Sequence, residues 1–97
     1  MELSYKRLSD SEIADGLAKL PNWELTDGML TRLFEFKSYQ EGLVFATTVG
    51  YAADQLNHHP DLFIGYQKVR VSTITHDSQG LTSYDFELAK RVEALAP

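Results

Sequence analysis

Residues 38–60 read SYQEGLVFATTVGYAADQLNHHP, and this stretch decides how the rest of the chain is arranged. Ser38 followed three residues later by Glu41 is a capping-box pattern, which predicts a helix start. Pro60 disfavours a helical backbone at the residue before it, so we expect the helix to run from about Tyr39 to Leu56. The apolar spacing of three and four predicts a buried stripe of Tyr39, Leu43, Ala46, Gly50 and Ala53, widened by Val44, Tyr51 and Leu56.

Strand patterns lie on both sides of this helix. Residues 66–75 alternate with a period of two and are rich in β-branched side chains, which favours one strand. The alternation places Val69, Val71, Thr73 and Thr75 on one side of the strand. It places His76 on the opposite side. Before the helix, residues 23–26 and 30–36 predict two strands joined by a tight turn at Asp27 and Gly28.

Two further capping patterns mark the terminal helices. Ser9 with Glu12 predicts a helix over residues 10–20, and Thr82 with Asp85 predicts another over residues 83–95. The element order is therefore αββαβα, which indicates an α+β fold with an antiparallel sheet and three helices packed on one face. We expect a single domain over residues 1–97, small enough for oligomerisation to add to its stability.

Composition excludes several classes of function. The chain has no cysteine, which rules out disulfides, thiolate catalysis and cysteine-ligated metal centres. A net charge of −5 without a cluster of lysines and arginines argues against direct nucleic-acid binding. No run approaches the roughly 18 apolar residues of a membrane span, and the first ten residues lack the apolar region of a signal peptide, so we expect a cytoplasmic protein that binds no membrane.

All three histidines fall in a short window, as His58, His59 and His76. An imidazole with an unperturbed pKa of roughly 6.5 can both accept and donate a proton near neutrality, which favours acid–base chemistry. Asp54 precedes His58 by four positions, so a helix extending this far would bring the two side chains into contact. Pro60 favours an extended His59, whose ring then points in a different direction.

Zinc binding is the alternative interpretation of the same residues. His58, His59, His76 and Asp54 together offer nitrogen and oxygen ligands, although adjacent histidines rarely chelate one ion together. On composition alone, Trp23 is predicted to be a core residue and Asp85 a helix cap.

Three motifs together resemble the pterin-4a-carbinolamine dehydratase family. They are the acid-x-x-x-His-His-Pro run of residues 54–60, the Thr-His-Asp of residues 75–77, and the Gly-Leu-Thr-x-x-Asp of residues 80–85. The resemblance extends to the Leu-Ser-x-x-Glu-Ile segment at residues 8–13, to Trp23 and to the Phe-Glu-Phe run at residues 34–36. Two positions depart from the family pattern: Leu62 stands where many members have tryptophan, and Asp54 where several have glutamate.

The resemblance implies a dehydratase that removes water from 4a-hydroxytetrahydropterin to give quinonoid dihydropterin, which recycles the pterin used by aromatic amino acid hydroxylases. The pterin is then the substrate, and no metal or bound cofactor is expected. Carried over by motif, His58 and His76 form the acid–base pair and His59 completes the catalytic set, while the acid and the base are not distinguished. Substrate binding falls to Asp54, Pro60, Thr75, Asp77 and Ser78, with Trp23 and Asp85 in support.

The resemblance also implies a homodimer or homotetramer and a functional link to a hydroxylase. A competing interpretation is a non-catalytic dimerisation or assembly module, because the family fold also serves as a partner of a transcription factor in animals and some relatives lack the histidines. Retention of all three histidines favours the enzyme, since a scaffold gains little from ionisable groups in a pocket.

Overall fold

Three helices and a four-stranded antiparallel sheet make up the protein, whose computed structural model describes residues 2–97. The α+β class is confirmed, with one strand more than the predicted order. The elements along the chain are α1 (Asp10–Ala18), β1 (Glu24–Thr26), β2 (Met29–Glu35), α2 (Tyr39–Leu56), β3 (Asp61–Gly65), β4 (Lys68–Thr73), a short 3₁₀ helix (His76–Ser78) and α3 (Ser83–Leu95).

The additional strand is β3, which the sequence pattern did not reveal. Residues 61–65 read DLFIG and pair antiparallel with β4, with Leu62 opposite Val71 and Ile64 opposite Val69. Residues 66 and 67, predicted to begin a long strand, instead form the turn of this hairpin. Three consecutive apolar residues carry no period-two signal, so the segment looked like a connection. The strand order across the sheet is β1-β2-β4-β3.

The turn and caps follow the sequence signals closely. Asp27 and Gly28 both have positive φ (51° and 79°), as a tight hairpin turn requires. Reciprocal capping boxes start α1 at Ser9 and α3 at Thr82, whereas Ser38 caps α2 through its own side chain alone. As a result, α2 and α3 have the predicted bounds, and α1 ends at Ala18, two residues earlier than expected.

The core lies between the helices and one face of the sheet. The predicted side of β4 is buried, as are Leu30 and Phe34 of β2. The stripe predicted for α2 is partly wrong, because Tyr39, Leu43, Val44 and Tyr51 are exposed. Its buried face instead comprises Gly42, Phe45, Ala46, Val49, Ala53 and Leu56. Apolar residues occur nearly all round this helix, so a second stripe at the same spacing fits the periodicity equally well.

None of the helices described within residues 2–97 combines the length and the hydropathy of a membrane span.

Candidate active site

The end of α2 carries His58 into the interior. Asn57 adopts the left-handed conformation (φ 53°, ψ 42°) that commonly terminates helices, and the His58 backbone N–H then bonds back to the Ala53 carbonyl at 3.1 Å. The turn leaves the His58 residue only 8% exposed. A left-handed residue directly before the double histidine thus separates the two rings, one inward and one outward.

The imidazole of His58 meets a fully buried carboxylate. Its Nε2 lies 2.6 Å from Oδ1 of Asp85, the third residue of α3. The same carboxylate accepts hydrogen bonds from the hydroxyls of Thr73 and Thr75, each at 2.7 Å, and from the Thr82 backbone N–H at 2.9 Å. Burying a charge is tolerated only when it is paired and hydrogen-bonded in this way. Asp85 therefore both caps α3, as predicted, and holds a histidine.

This arrangement fixes which nitrogen of His58 is available for chemistry. Thr73, Thr75 and Thr82 all donate to Asp85, so the carboxylate acts as an acceptor and Nε2 of His58 carries the proton between them. The other ring nitrogen, Nδ1, makes no hydrogen bond with the protein, and no buried side-chain nitrogen or oxygen within the described residues lacks a partner. Nδ1 thus retains access to solvent, where it can accept or deliver a proton.

Asp54 contacts a histidine, but not the one that the spacing predicted. Its Oδ1 lies 2.7 Å from Nε2 of His59, and both side chains are largely exposed, 74% and 58% respectively. The expected contact with His58 is wrong because α2 ends at Leu56 and the turn at Asn57 changes the direction of the chain. The site therefore contains two separate histidine–aspartate pairs, one buried and one at the surface.

His76 lies at the start of the 3₁₀ helix and is exposed. The residue before it, Thr75, is buried and bonded to Asp85, so this one carboxylate is linked to His58 directly and to the backbone that carries His76. His76 is therefore adjacent in sequence to Thr75, which belongs to the hydrogen-bond network that holds His58.

The other predicted site residues are three neighbours of the histidines and Trp23. Pro60 follows His59 and is half-buried, while Asp77 and Ser78 follow His76 and are exposed and half-buried, respectively. Trp23 is a core residue, as predicted; its indole N–H donates to Glu93 at 2.6 Å and its ring packs edge-on against Phe34. Its contacts are thus structural ones, away from the Asp85 network.

The geometry does not favour the zinc alternative. Among residues 2–97, no three histidine, aspartate or glutamate side chains are grouped so that they could hold one metal ion. A groove of about 530 Å³ lies between α1 and α3, with Gly16 and Phe86 in its lining, but none of the three histidines lines it. The hydrogen-bond network around Asp85, rather than the size of a cavity, marks this site.

Sequence reasoning missed two contributors to the site. Thr73 is one; its position on the buried side of a strand, together with Thr75, was a signal that a polar partner lies inside. Tyr84 is the other; its ring centroid lies 5.8 Å from that of His58. A tyrosine beside a helix cap carries no sequence signal of such a contact.

Comparison with known proteins identifies similar chains. The family model described as Pterin 4 alpha carbinolamine dehydratase matches residues 6–95. A protein of Chloroflexus aurantiacus is 39% identical over 92% of this chain and 96% of its own, and one of Sulfurisphaera tokodaii is 40% identical over 93% and 97%. Both are named "Putative pterin-4-alpha-carbinolamine dehydratase".

Two solved structures extend the comparison. A transcriptional coactivator/pterin dehydratase from Brucella melitensis superimposes with a TM-score of 0.89, at 33% identity over 95% of this chain and all of that one. A pterin dehydratase-like RuBisCO assembly factor of the alpha-carboxysome gives a TM-score of 0.63 at 24% identity, covering 76% of this chain and 86% of the other. The second likeness is one of fold alone.

Proposed function

The chain belongs to the pterin-4a-carbinolamine dehydratase family, and we propose on that premise that it is an active enzyme which removes water from 4a-hydroxytetrahydropterin. The product is quinonoid dihydropterin, whose reduction returns the pterin to an aromatic amino acid hydroxylase. The observation that carries the proposal is the 2.6 Å contact between His58 and the fully buried Asp85. A buried, oriented imidazole is the kind of group that proton transfer requires.

The reaction needs two proton transfers around one departing hydroxyl group. The bond from carbon 4a to oxygen breaks, the oxygen leaves as water after receiving a proton, and a ring nitrogen of the pterin gives up its proton. Because Nε2 of His58 is bonded to Asp85, the transfer by this residue takes place at Nδ1. His76, exposed and close in sequence to Thr75, supplies the second imidazole.

The other site residues have narrower roles in this proposal. His59, held by Asp54 at 2.7 Å, lines the pocket at the surface, where Asp54 can also bind the guanidine-like edge of the pterin. Pro60, Asp77 and Ser78 add contacts to the substrate. The hydroxyl of Thr75 is bonded to Asp85 and its backbone N–H to the Gly80 carbonyl, so Thr75 lines the pocket and holds the backbone next to His76 in place.

We further propose that the protein works in the cytoplasm as a homodimer or homotetramer and needs neither a metal nor a bound cofactor. Exposed apolar side chains on α2, above all Val44 at 60% and Tyr51 at 70%, are typical of a helix face that a second subunit covers. The competing function is that of a non-catalytic dimerisation or assembly module. It is favoured by the similar protein of Brucella melitensis, which is described as a transcriptional coactivator as well as a pterin dehydratase.

Stopped-flow kinetics separate these functions. Freshly generated carbinolamine is mixed with the protein after treatment with a chelator, and its decay is compared with the spontaneous rate. We expect fast decay with wild type and a loss of about 10²-fold or more in turnover with His76→Ala, the scale of a lost general acid or base. His76 is exposed, so the variant should unfold at the wild-type urea midpoint.

Decay at the spontaneous rate with wild type would identify an assembly module. Activity that is lost with the chelator and restored by zinc would revive the metal alternative. Unchanged kinetics in His76→Ala would show that this imidazole takes no part.

A further inference from the structure

Two tyrosines, at positions that no motif specifies, form a stack beside the buried histidine. Tyr84 directly precedes Asp85 on α3, and its ring lies 5.8 Å from the His58 ring, centroid to centroid, with the planes inclined by 33°. The ring of Tyr5 stacks on Tyr84 at 4.5 Å and 17°. The His58 imidazole is thus the inner member of a run of three rings that reaches the protein surface at Tyr5, which is 56% exposed.

Tyr5 is held in place by a segment outside any helix or strand. Its carbonyl accepts a 2.6 Å hydrogen bond from the Ser78 hydroxyl. On either side, the Ser4 N–H donates to the Ser83 hydroxyl oxygen at 2.8 Å and the Leu8 N–H donates to the Leu81 carbonyl at 2.8 Å. The N-terminal segment therefore lies along residues 78–83, which connect the His76 turn to the start of α3.

The phenol of Tyr5, the outer ring of the stack, is held in its uncharged form. The neighbouring Tyr84, together with partial desolvation and the Asp77 carboxylate, raises the pKa of the Tyr5 phenol above its ordinary value. Tyr5 is therefore neutral near neutral pH, and the stack places an aromatic surface beside the His58–Asp85 pair. Offset-stacked rings of this kind attract one another beyond the area they bury.

We propose that Tyr84, supported by Tyr5, is a positioning residue for His58: it restricts the rotation of the imidazole and keeps water from the hydrogen bond between His58 and Asp85. A hydrogen bond shielded from water is electrostatically stronger than an exposed one, so the imidazole is held with Nδ1 in a fixed direction. The importance of this for turnover rests on the proposed function, whereas the shielding itself is a property of the fold.

The test measures the shielded proton directly. In protein labelled with ¹⁵N at histidine, NMR gives the rate at which the Nε2 proton of His58 exchanges with water. We expect Tyr84→Ala to accelerate this exchange by about tenfold and Tyr84→Phe to keep it near the wild-type rate, because the phenyl ring preserves the packing. Tyr66→Ala is the matched control, since Tyr66 lies in the β3–β4 turn and is 74% exposed.

Tyr5→Ala provides a second variant that keeps the half-buried Tyr84 in place. We expect it to accelerate exchange in the same direction by a smaller factor, about threefold, because it removes only the outer ring of the stack. Exchange in both Tyr84→Ala and Tyr5→Ala at the rate of the Tyr66→Ala control would overturn the proposal.

Kinetics then separate this inference from the proposed function. In an active enzyme, Tyr84→Ala should lower kcat with little change in KM, and Tyr84→Phe should restore most of kcat. Accelerated exchange in a protein without dehydratase activity would support the positioning and refute the enzyme. Full activity with unaltered exchange would refute the positioning and support the enzyme.

Discussion

Replacing Asp85 with asparagine removes one charge from the centre of the site without changing its shape. The wild-type carboxylate accepts four hydrogen bonds, two at each oxygen: Oδ1 from Thr73 and His58, and Oδ2 from Thr75 and Thr82. Asparagine has one oxygen and one NH₂ group, so in either orientation two of the four donors face another donor. A threonine hydroxyl can rotate to accept, and His58 can accept at Nε2 only by moving its proton to Nδ1, which removes the acceptor that the site uses, whereas the Thr82 N–H cannot accept at all.

The expected cost follows from these contacts. Two charge-assisted hydrogen bonds, each contributing about 1.5–3 kcal/mol, are lost or reversed, which amounts to about 3–6 kcal/mol in total. Since small domains are stable by about 5–15 kcal/mol, Asp85→Asn should unfold at a much lower urea concentration or be only partly folded.

Urea unfolding followed by fluorescence measures this loss, because Trp23 is the single tryptophan and is 5% exposed in the core. Asp54→Asn is the matched control: it makes the same chemical change in the other histidine–aspartate pair, where the carboxylate side chain is 74% exposed. An exposed pair contributes little, so we expect a change within about 1 kcal/mol. Similar small losses in the two variants would refute the reasoning that burial makes Asp85 a central group.

Two other predictions concern α1 and α2. Gly16→Ala should lower the free energy of unfolding by about 1–3 kcal/mol, because its new Cβ would lie 2.5 Å from Cε1 of Phe86. Gly50→Ala on α2, where a Cβ meets nothing within 4 Å, should instead raise it by about 0.5–1 kcal/mol, and equal signs in the two variants would contradict this. Hydrogen bonds with the backbone and side chain of Ser9 hold the pKa of Glu12 below its ordinary value of 4.5. The interaction therefore stabilises the fold above pH 4.5, and this stabilisation is lost as the pH falls through the lowered pKa. Glu12→Gln should therefore lower Tm at pH 6 and converge with wild type in acid, whereas parallel Tm curves would contradict the assignment.

Local signals in the sequence predicted the elements whose ends are set by neighbouring residues. Ser9 with Glu12 and Thr82 with Asp85 form the capping boxes they predict, and Asp27 with Gly28 forms the hairpin turn. These features depend on hydrogen bonds and φ angles within four residues, so the local sequence is enough to predict them.

The predictions that were wrong or missing concern features that depend on the rest of the fold. Nothing within residues 61–65 shows that β4 will lie beside them, and so β3 was missed. The buried face of α2 was chosen by the sheet beneath it, where Phe45 rather than Leu43 fits. The partner of His58 lies 27 residues away in sequence, at Asp85, and no spacing rule connects the two.

A binding experiment tests the central claim that the three imidazoles serve one site. Protein labelled with ¹⁵N at histidine is titrated with a 7,8-dihydropterin, which has the bicyclic ring but no hydroxyl group to lose, while the ring nitrogens of all three histidines are observed. We predict that the signals of His58, His59 and His76 all shift and that one binding curve describes them. A titration in which His58 does not respond, or in which the histidines follow different curves, would contradict the account.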